Sequence, residues 1–243
     1  MKTTPITGDD ARPVTPYAPP ARRGPATLVI DVGGSNIKVL ATGQTEERKS
    51  PSGPEMTAAQ MVEAVKRMAD GWSYDQISIG FPGPVVRDRP LAEPHNLGTG
   101  WVEFDFSAAL DRPVRMINDA AMQALGGYRG GRMLFLGLGT GLGSALISEG
   151  VVQPMELAHL PYRRGRTFED YVGLRGLKRL GKKKWRKHVE RVATALKAAL
   201  CADDLIIGGG NAKELDEIPA GGRLGANTNA FIGGFRLWDG ALA

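Results

Sequence analysis

Along this chain the apolar positions change period several times, and each change marks an element. Leu28, Val29 and Ile30 form an unbroken apolar run, Asp31 interrupts it, two glycines turn the chain, and "NIKVL" emerges with alternating character. Two small residues between apolar runs predict a β-hairpin. In "TAAQMVEAVKRMADG" the stripe Met61, Val62, Val65 and Met68 predicts a helix, opened by a capping box at Thr57 and Gln60 and stopped by Gly71. "ISIGFPGPV" predicts a strand running into a Gly/Pro turn, with "SPSGPEM" and "RDRPLAEPHNLGTGW" as loops on either side of it. A strand over Val114 to Ile117 follows, then a polar break at Asn118-Asp119 and a helix from Ala120. Trp185, Val189, Val192, Leu196 and Leu200 recur at helical spacing, so Lys182–Leu200 is apolar on one face and basic on the other. "DDLIIGGGNAKEL" predicts a strand ending in three glycines and a short helix. Strands alternating with helices predict an α/β protein with a parallel or mixed sheet. The closing "GGRLGANTNAFIGGFRLWDGALA" takes no assignment from its pattern.

One segment repeats the opening. Setting Gly139 on Gly33 lays LFLGLGTGLGSAL over LVIDVGGSNIKVL, apolar run on apolar run and glycine turn on glycine turn. The repeat implies a duplicated chain of two related lobes, each opening on a glycine hairpin and facing the other across a cleft.

Composition narrows the setting. At 243 residues, 42% hydrophobic and 23% charged, the chain suits one large domain or two modest ones. Its apolar runs fall well short of the roughly 20 residues that span a bilayer. Residues 1–25 have no apolar stretch of the signal-peptide kind and, with their prolines and charges, are expected to form a disordered tail. A single cysteine, Cys201, excludes an internal disulfide and a cysteine-rich zinc site, and points to a reducing, cytoplasmic setting. The net charge of +5 is concentrated between Arg175 and Arg191, with Arg163, Arg164 and Arg166 before it. Such a block suits a polyanion, or simply solvates a helix face.

Candidate chemistry gathers at the strand ends. A carboxylate at Asp31, where a buried strand would carry an aliphatic, needs a partner, and cations are the usual ones. Glycine turns let backbone N–H groups approach phosphates, and three such turns follow apolar strands: Gly33-Gly34, Gly139-Thr140-Gly141 and Gly208-Gly209-Gly210. "GLGTGLG" contains GxGxxG letters but runs into a strand, and no Walker A sequence is present, so dinucleotide-binding and P-loop readings lose ground. Asp119 serves as a helix cap, or as a carboxylate at a strand's C-terminal end, where open α/β sheets put ligands. Glu156 and His159 stand at i, i+3, a pair that suits a polyhydroxy ligand or ordinary packing and is incomplete as a zinc site.

Taken in order, "DVGGSNIKVL", "GFPGPV", "NDAAMQALG", "FLGLGTGLGSALI", "ELAH" and "IIGGGN" resemble the ROK group of sugar kinases in the actin-like ATPase superfamily. Within it the chain most resembles the polyphosphate glucokinase-like branch, which lacks the group's cysteine zinc loop. The resemblance spans residues 26 to 240. It implies two actin-like, ribonuclease H-like lobes with mixed sheets, an N-terminal lobe over 26–119 and a C-terminal lobe over 120–243. It further implies phosphoryl transfer from ATP or polyphosphate to the 6-hydroxyl of glucose or a similar hexose, in a cytoplasmic enzyme that is commonly a homodimer and binds neither membrane nor nucleic acid.

Carried over by position, the resemblance makes Asp119 the catalytic base and Asp31 the carboxylate that positions magnesium. Gly33, Gly34 and Lys38 become the first phosphate hairpin, Gly139, Thr140 and Gly141 the second, and Gly208, Gly209 and Gly210 the nucleotide-side turn. Asn118, Glu156, His159 and Glu169 become sugar contacts. Lys182, Lys183, Lys184 and Arg186 would line a polyphosphate groove. The family's Glu-x-Gly-His reads Glu-Leu-Ala-His here, and if that glycine position needs a positive φ, Ala158 adds strain of order 1 kcal/mol. A non-catalytic sugar sensor is the alternative within the family. Such relatives carry a helix-turn-helix domain ahead of the lobes, for which the 25-residue segment is too short and proline-rich.

Overall fold

The computed structural model describes residues 24–226 and 228–239, so the expected tail at 1–25 lies almost wholly outside the described residues. The chain divides into two units. The first begins with β1 (Thr27–Val32), β2 (Asn36–Ala41), β3 (Arg48–Pro51), α1 (Ala58–Met68) and β4 (Gln76–Phe81). It continues through the short hairpin β5 (Val85–Val86) and β6 (Arg89–Pro90), then α2 (Phe106–Leu110), β7 (Val114–Asn118) and the start of α3 (Asp119–Gly127). The second unit holds β8 (Arg132–Leu138), β9 (Leu142–Ser148), β10 (Val151–Met155), a 3-10 turn at Leu157–His159, and the hairpin β11 (Pro161–Arg163) and β12 (Arg166–Thr167). After it come α4 (Phe168–Val172), α5 (Leu174–Leu180), α6 (Lys182–Ala199), β13 (Asp204–Gly208), a 3-10 turn at Ala212–Glu214 and β14 (Gly222–Leu224). Last is α7 (Asn229–Arg236).

Each unit is built on a five-stranded mixed sheet, and the two have one topology. The first runs β3-β2-β1-β4-β7 and the second β10-β9-β8-β13-β14. In both, the first two pairings are antiparallel and the last two parallel. The duplication read from the glycine hairpins therefore extends to whole sheets. The hairpins differ in one respect. Val32 pairs with Ile37, whereas Leu138 pairs with Leu142, so the second turn is one residue shorter and the returning strands are offset by 105 positions instead of 106.

The helices follow their apolar spacing. Thr57 and Gln60 form the reciprocal capping box of α1, and Met61, Val62 and Val65 are buried against the first sheet. On α6, Trp185, Val189, Val192 and Leu196 are buried in the second core, each contributing roughly 1.5–3 kcal/mol by leaving water. The Trp185 indole N–H donates to the Val172 carbonyl at 2.8 Å, so its one polar atom is satisfied inside the core.

The division of the chain differs from the expected one at two points. The boundary falls inside α3, between Met122 and Gln123, and the chain from Ala230 onward returns to the first unit instead of completing the second. The reason is packing at the far end: Ala230 and Phe231 are buried with Val29, Leu40 and Met122. Ser78, fully buried, donates its hydroxyl to the Gly234 carbonyl at 2.6 Å and accepts from the Trp238 indole at 2.9 Å. Arg115 donates to the Leu237 carbonyl at 2.6 Å and stacks over the Trp238 ring. The segment's apolar residues, Phe231, Ile232, Phe235, Leu237 and Trp238, do not name their partners, which lie more than 100 positions away.

Candidate active site

In the first unit the candidate residues collect at the carboxyl ends of β1, β4 and β7, where an open α/β sheet binds its ligands. Asp31 is the last residue but one of β1 and pairs across the hairpin with Lys38. Burial pushes the Asp31 carboxyl up from its ordinary value; Lys38 pulls it down and Glu47 adds to the rise, and burial prevails. Lys38 also lies 3.9 Å from Glu47. The turn at Gly33-Gly34 is braced from β3's end: Ser52 donates its hydroxyl to the Gly33 carbonyl at 2.6 Å and its N–H to the Ser35 carbonyl at 3.0 Å. Asn96, in the loop before Trp101, lies against Gly34.

At the end of β7 the helix cap is Asn118, not Asp119. The Asn118 side-chain oxygen accepts from the Ala120 and Ala121 amides at 3.0 and 3.2 Å, and its amide group donates to the Gly83 carbonyl at 3.1 Å. That fastens the start of α3 to the "GFPGPV" turn and leaves one amide hydrogen for a ligand. Asp119 occupies the first helical position, half-buried, with its Oδ1 accepting the Ala120 N–H at 2.7 Å.

The second unit brings its two glycine turns together. Asn211 donates its backbone N–H to the Leu138 carbonyl and its side-chain amide to the Gly139 carbonyl, both at 2.8 Å, so the 208–210 turn is fastened to the 139–141 turn. Gly209 has φ +82° and the Leu138 backbone where a Cβ would stand, which leaves room for no other residue. On the other side, the Leu174 N–H reaches the Gly139 and Thr140 carbonyls at 3.1 Å each. Glu169, on α4, lays its carboxylate against Gly141 and accepts from Arg175 at 3.1 Å.

Glu156, just before the 3-10 turn, and His159, the last residue of it, are exposed; the Ser144 hydroxyl holds the turn by accepting from the Leu157 N–H at 3.2 Å and donating to the Met155 carbonyl at 2.6 Å. Phe168 donates its N–H to the Leu160 carbonyl at 3.1 Å, which keeps this turn beside the helix that carries Glu169. Ala158 is 4% exposed, packed in the second core, and is not among the positive-φ residues, so alanine at the family's glycine position carries no backbone strain.

The basic face of α6 divides in two. Lys182 pairs with Glu214 at 2.5 Å and holds that carboxyl below its usual range, while Arg186 pairs with Asp216 and donates to the Glu214 carbonyl at 2.5 Å. Two of the four expected groove cations are thus tied to the segment after the 208–210 turn. Lys183 lines a groove of about 510 Å³, and Lys184 stands exposed.

Sequence reasoning passed over Ser52, Asn96 and Asn211, whose roles are to brace glycine turns across 19 to 72 positions of sequence. Only the asparagine after the third glycine run carried a local signal. The contact at Gly141 makes a prediction. In Gly141→Ala the new methyl collides with the Glu169 carboxylate, which must swing away from the turn. The expected result is a KM for sugar raised about tenfold or more, with a melting temperature within a few degrees of wild type. A variant with an unchanged KM for sugar would remove Glu169 from the site.

The ROK family model matches residues 27–154. A polyphosphate glucokinase of Mycobacterium leprae (strain TN) is 30% identical, the match covering 87% of this chain and 73% of the relative. One from Mycobacterium tuberculosis (strain CDC 1551 / Oshkosh) is 29% identical, covering 84% of this chain and 83% of the relative. Among solved structures, the inorganic polyphosphate/ATP-glucomannokinase from Arthrobacter sp. strain KM matches with a TM-score of 0.74 at 24% identity, covering 87% of this chain and 97% of that one. This likeness bears on the fold alone, an α/β chain with two mixed sheets. No helix among the described residues is long and apolar enough to cross a membrane. With its family model covering more than half of its length and a relative at 30% identity, the chain belongs to the ROK family.

Proposed function

We propose that this protein is a sugar kinase of the glucokinase type, transferring a phosphoryl group from polyphosphate, ATP or both to the 6-hydroxyl of glucose or a similar hexose. The observation that carries the reading is the repeated one: like sheets, each ending in a glycine turn at the carboxyl end of its first strand, in a chain whose relatives are polyphosphate glucokinases. Asp119 accepts the proton of the sugar 6-hydroxyl as that oxygen bonds to phosphorus. The bond from phosphorus to the donor's bridging oxygen breaks, and the shortened donor leaves with that electron pair. Asn118, Glu156, His159 and Glu169 hold the other hydroxyls. The Gly33 and Gly139 N–H groups are already donated within their turns, to the Asn36 and Gly141 carbonyls, so the Gly34, Thr140 and Gly141 N–H groups hold phosphate; Lys38 adds charge to the first turn, and 208–210 serves the nucleotide side. Positioning supplies most of the rate in such transfers, so the base need not be strong.

Magnesium fits the donor set. Asp31 is a desolvated carboxylate at a strand end, and no cluster of three metal-ligating side chains occurs among the described residues. Magnesium prefers one or two carboxylates, with water and substrate phosphate completing its shell. Asp31 would hold it, and the ion when bound neutralises charge on the transferring phosphate.

The test is one assay, with purified protein, magnesium, a hexose panel, and ATP or polyphosphate as donor. Turnover of glucose or a close hexose at its 6-hydroxyl is expected with at least one donor. Sugar binding without turnover by any donor would replace the kinase with a non-catalytic sugar-binding regulator.

A further inference from the structure

The ion pairs of α6 sort its cations, and what they leave over forms a stripe. Lys183, Lys187 and Arg191 stand at i, i+4 and i+8, on one helix face at intervals of about 6 Å. All three line the groove of about 510 Å³, together with Arg186, Glu190, Asp216 and Glu217. Arg186 neutralises Asp216, which leaves Glu190 and Glu217 as the acids. Among the described residues no carboxylate lies within ion-pair distance of Lys183, Lys187 or Arg191.

The stripe continues past the groove. His188, buried on the neighbouring face of α6, bonds the Tyr162 hydroxyl at 3.0 Å and packs edge-on against Tyr162 and Tyr171. Its imidazole is held below the usual range, first by burial and then by Arg191, Arg163 and Arg179. Those three arginines therefore crowd one locality, where Arg179 stacks over Tyr171 and Arg163 ends β11. Five cations, Lys183, Lys187, Arg191, Arg179 and Arg163, thus stand in the groove or around His188, with two unneutralised acids in the groove, and Arg191 belongs to both groups. A compact ligand has no use for so long a track, whereas a linear chain of phosphates takes one cation after another and releases counterions at each.

We propose that this track holds the non-reacting length of a polyphosphate chain. It is a binding face on the second unit, separate from the glycine turns; it sets aside the ion-paired Lys182 and Arg186, retains Lys183, and has the exposed Lys184 at its edge. The inference rests on the reading of polyphosphate as a donor, and direct binding tests it independently of turnover. Labelled long-chain polyphosphate and tripolyphosphate are titrated against the full chain over a range of salt.

In Lys183→Gln/Lys187→Gln/Arg191→Gln, glutamine keeps the helix propensity and removes three charges. The salt slope for the long chain should fall by about 2, at roughly 0.7 per lost phosphate contact, with affinity at least about tenfold lower and tripolyphosphate binding little changed. A comparison variant, Lys66→Gln/Lys178→Gln/Lys182→Gln, removes as much charge away from the stripe and should keep nearly the wild-type slope. Equal losses in both variants would reduce the effect to net charge and overturn the face. So would a wild-type protein that does not bind long polyphosphate, or one that binds single-stranded RNA more tightly. If the wild type phosphorylates no sugar yet shows the predicted difference between the two variants, the donor reading fails and the face stands.

Discussion

Asp119→Asn should fold, bind hexose with nearly wild-type affinity, and lose about 10²–10⁴ of kcat with either donor, on the scale of a missing general base. In barrier terms a thousandfold loss is about 4 kcal/mol. The fold should survive because Asn118, not Asp119, caps α3 through the Ala120 and Ala121 amides. An asparagine oxygen can also accept the Ala120 N–H that Asp119 Oδ1 accepts now. The measurements are sugar binding by calorimetry and turnover with ATP and polyphosphate. A variant within tenfold of wild-type kcat would mean that the proton leaves by another route, and one that loses sugar binding would make Asp119 a substrate anchor instead.

Asp31→Asn should separate activity from stability. The folded protein holds this carboxyl above its ordinary value of 3.8, chiefly by burial. Between that ordinary value and the raised one the folded chain binds more protons than the unfolded chain, so stability falls as pH rises through the window and stays lower above it. Asparagine removes this half-buried, poorly solvated charge. The variant should therefore melt above wild type at pH 7, with the gain shrinking as pH approaches 4, while magnesium-dependent turnover drops by two orders of magnitude or more. Scanning calorimetry across pH, beside the kinase assay, reads both. A lower melting temperature at pH 7 would show that the carboxylate is a structural partner, and full activity would remove it from the metal site. A carboxylate that destabilises its own fold is a mark of a residue kept for chemistry.

What the chain discloses by itself depends on distance. α1 and α6 were legible because their apolar faces repeat every three or four residues, and the glycine hairpins because their signal fits within a dozen residues. The matched topology of the two sheets extends that local repeat to strands whose sequences no longer look alike. Three things were hidden, all set by long-range contacts. Asn118 takes the cap from Asp119 because its amide also reaches Gly83, 35 positions earlier. Lys182 and Arg186 look like groove cations in sequence and become ion-pair partners of Glu214 and Asp216 only in the fold. α7 joins the first unit through contacts with Val29, Leu40 and Ser78, which nothing in its own glycine-rich sequence announces.

That return of α7 sets an order of completion during synthesis. Among the described residues the second unit falls within Gln123–Asn229, and every strand of its sheet has been made before α7 appears. The first unit is interrupted. Although its sheet is translated first, Val29, Leu40 and Met122 wait for Ala230 and Phe231, and the hydroxyl of Ser78 waits for Gly234. On a ribosome, where domains generally close from the N-terminal end, this chain reverses the sequence: the unit that begins it is sealed last. Until then an apolar patch on the nascent first sheet stays uncovered, and a chaperone would find its binding surface there.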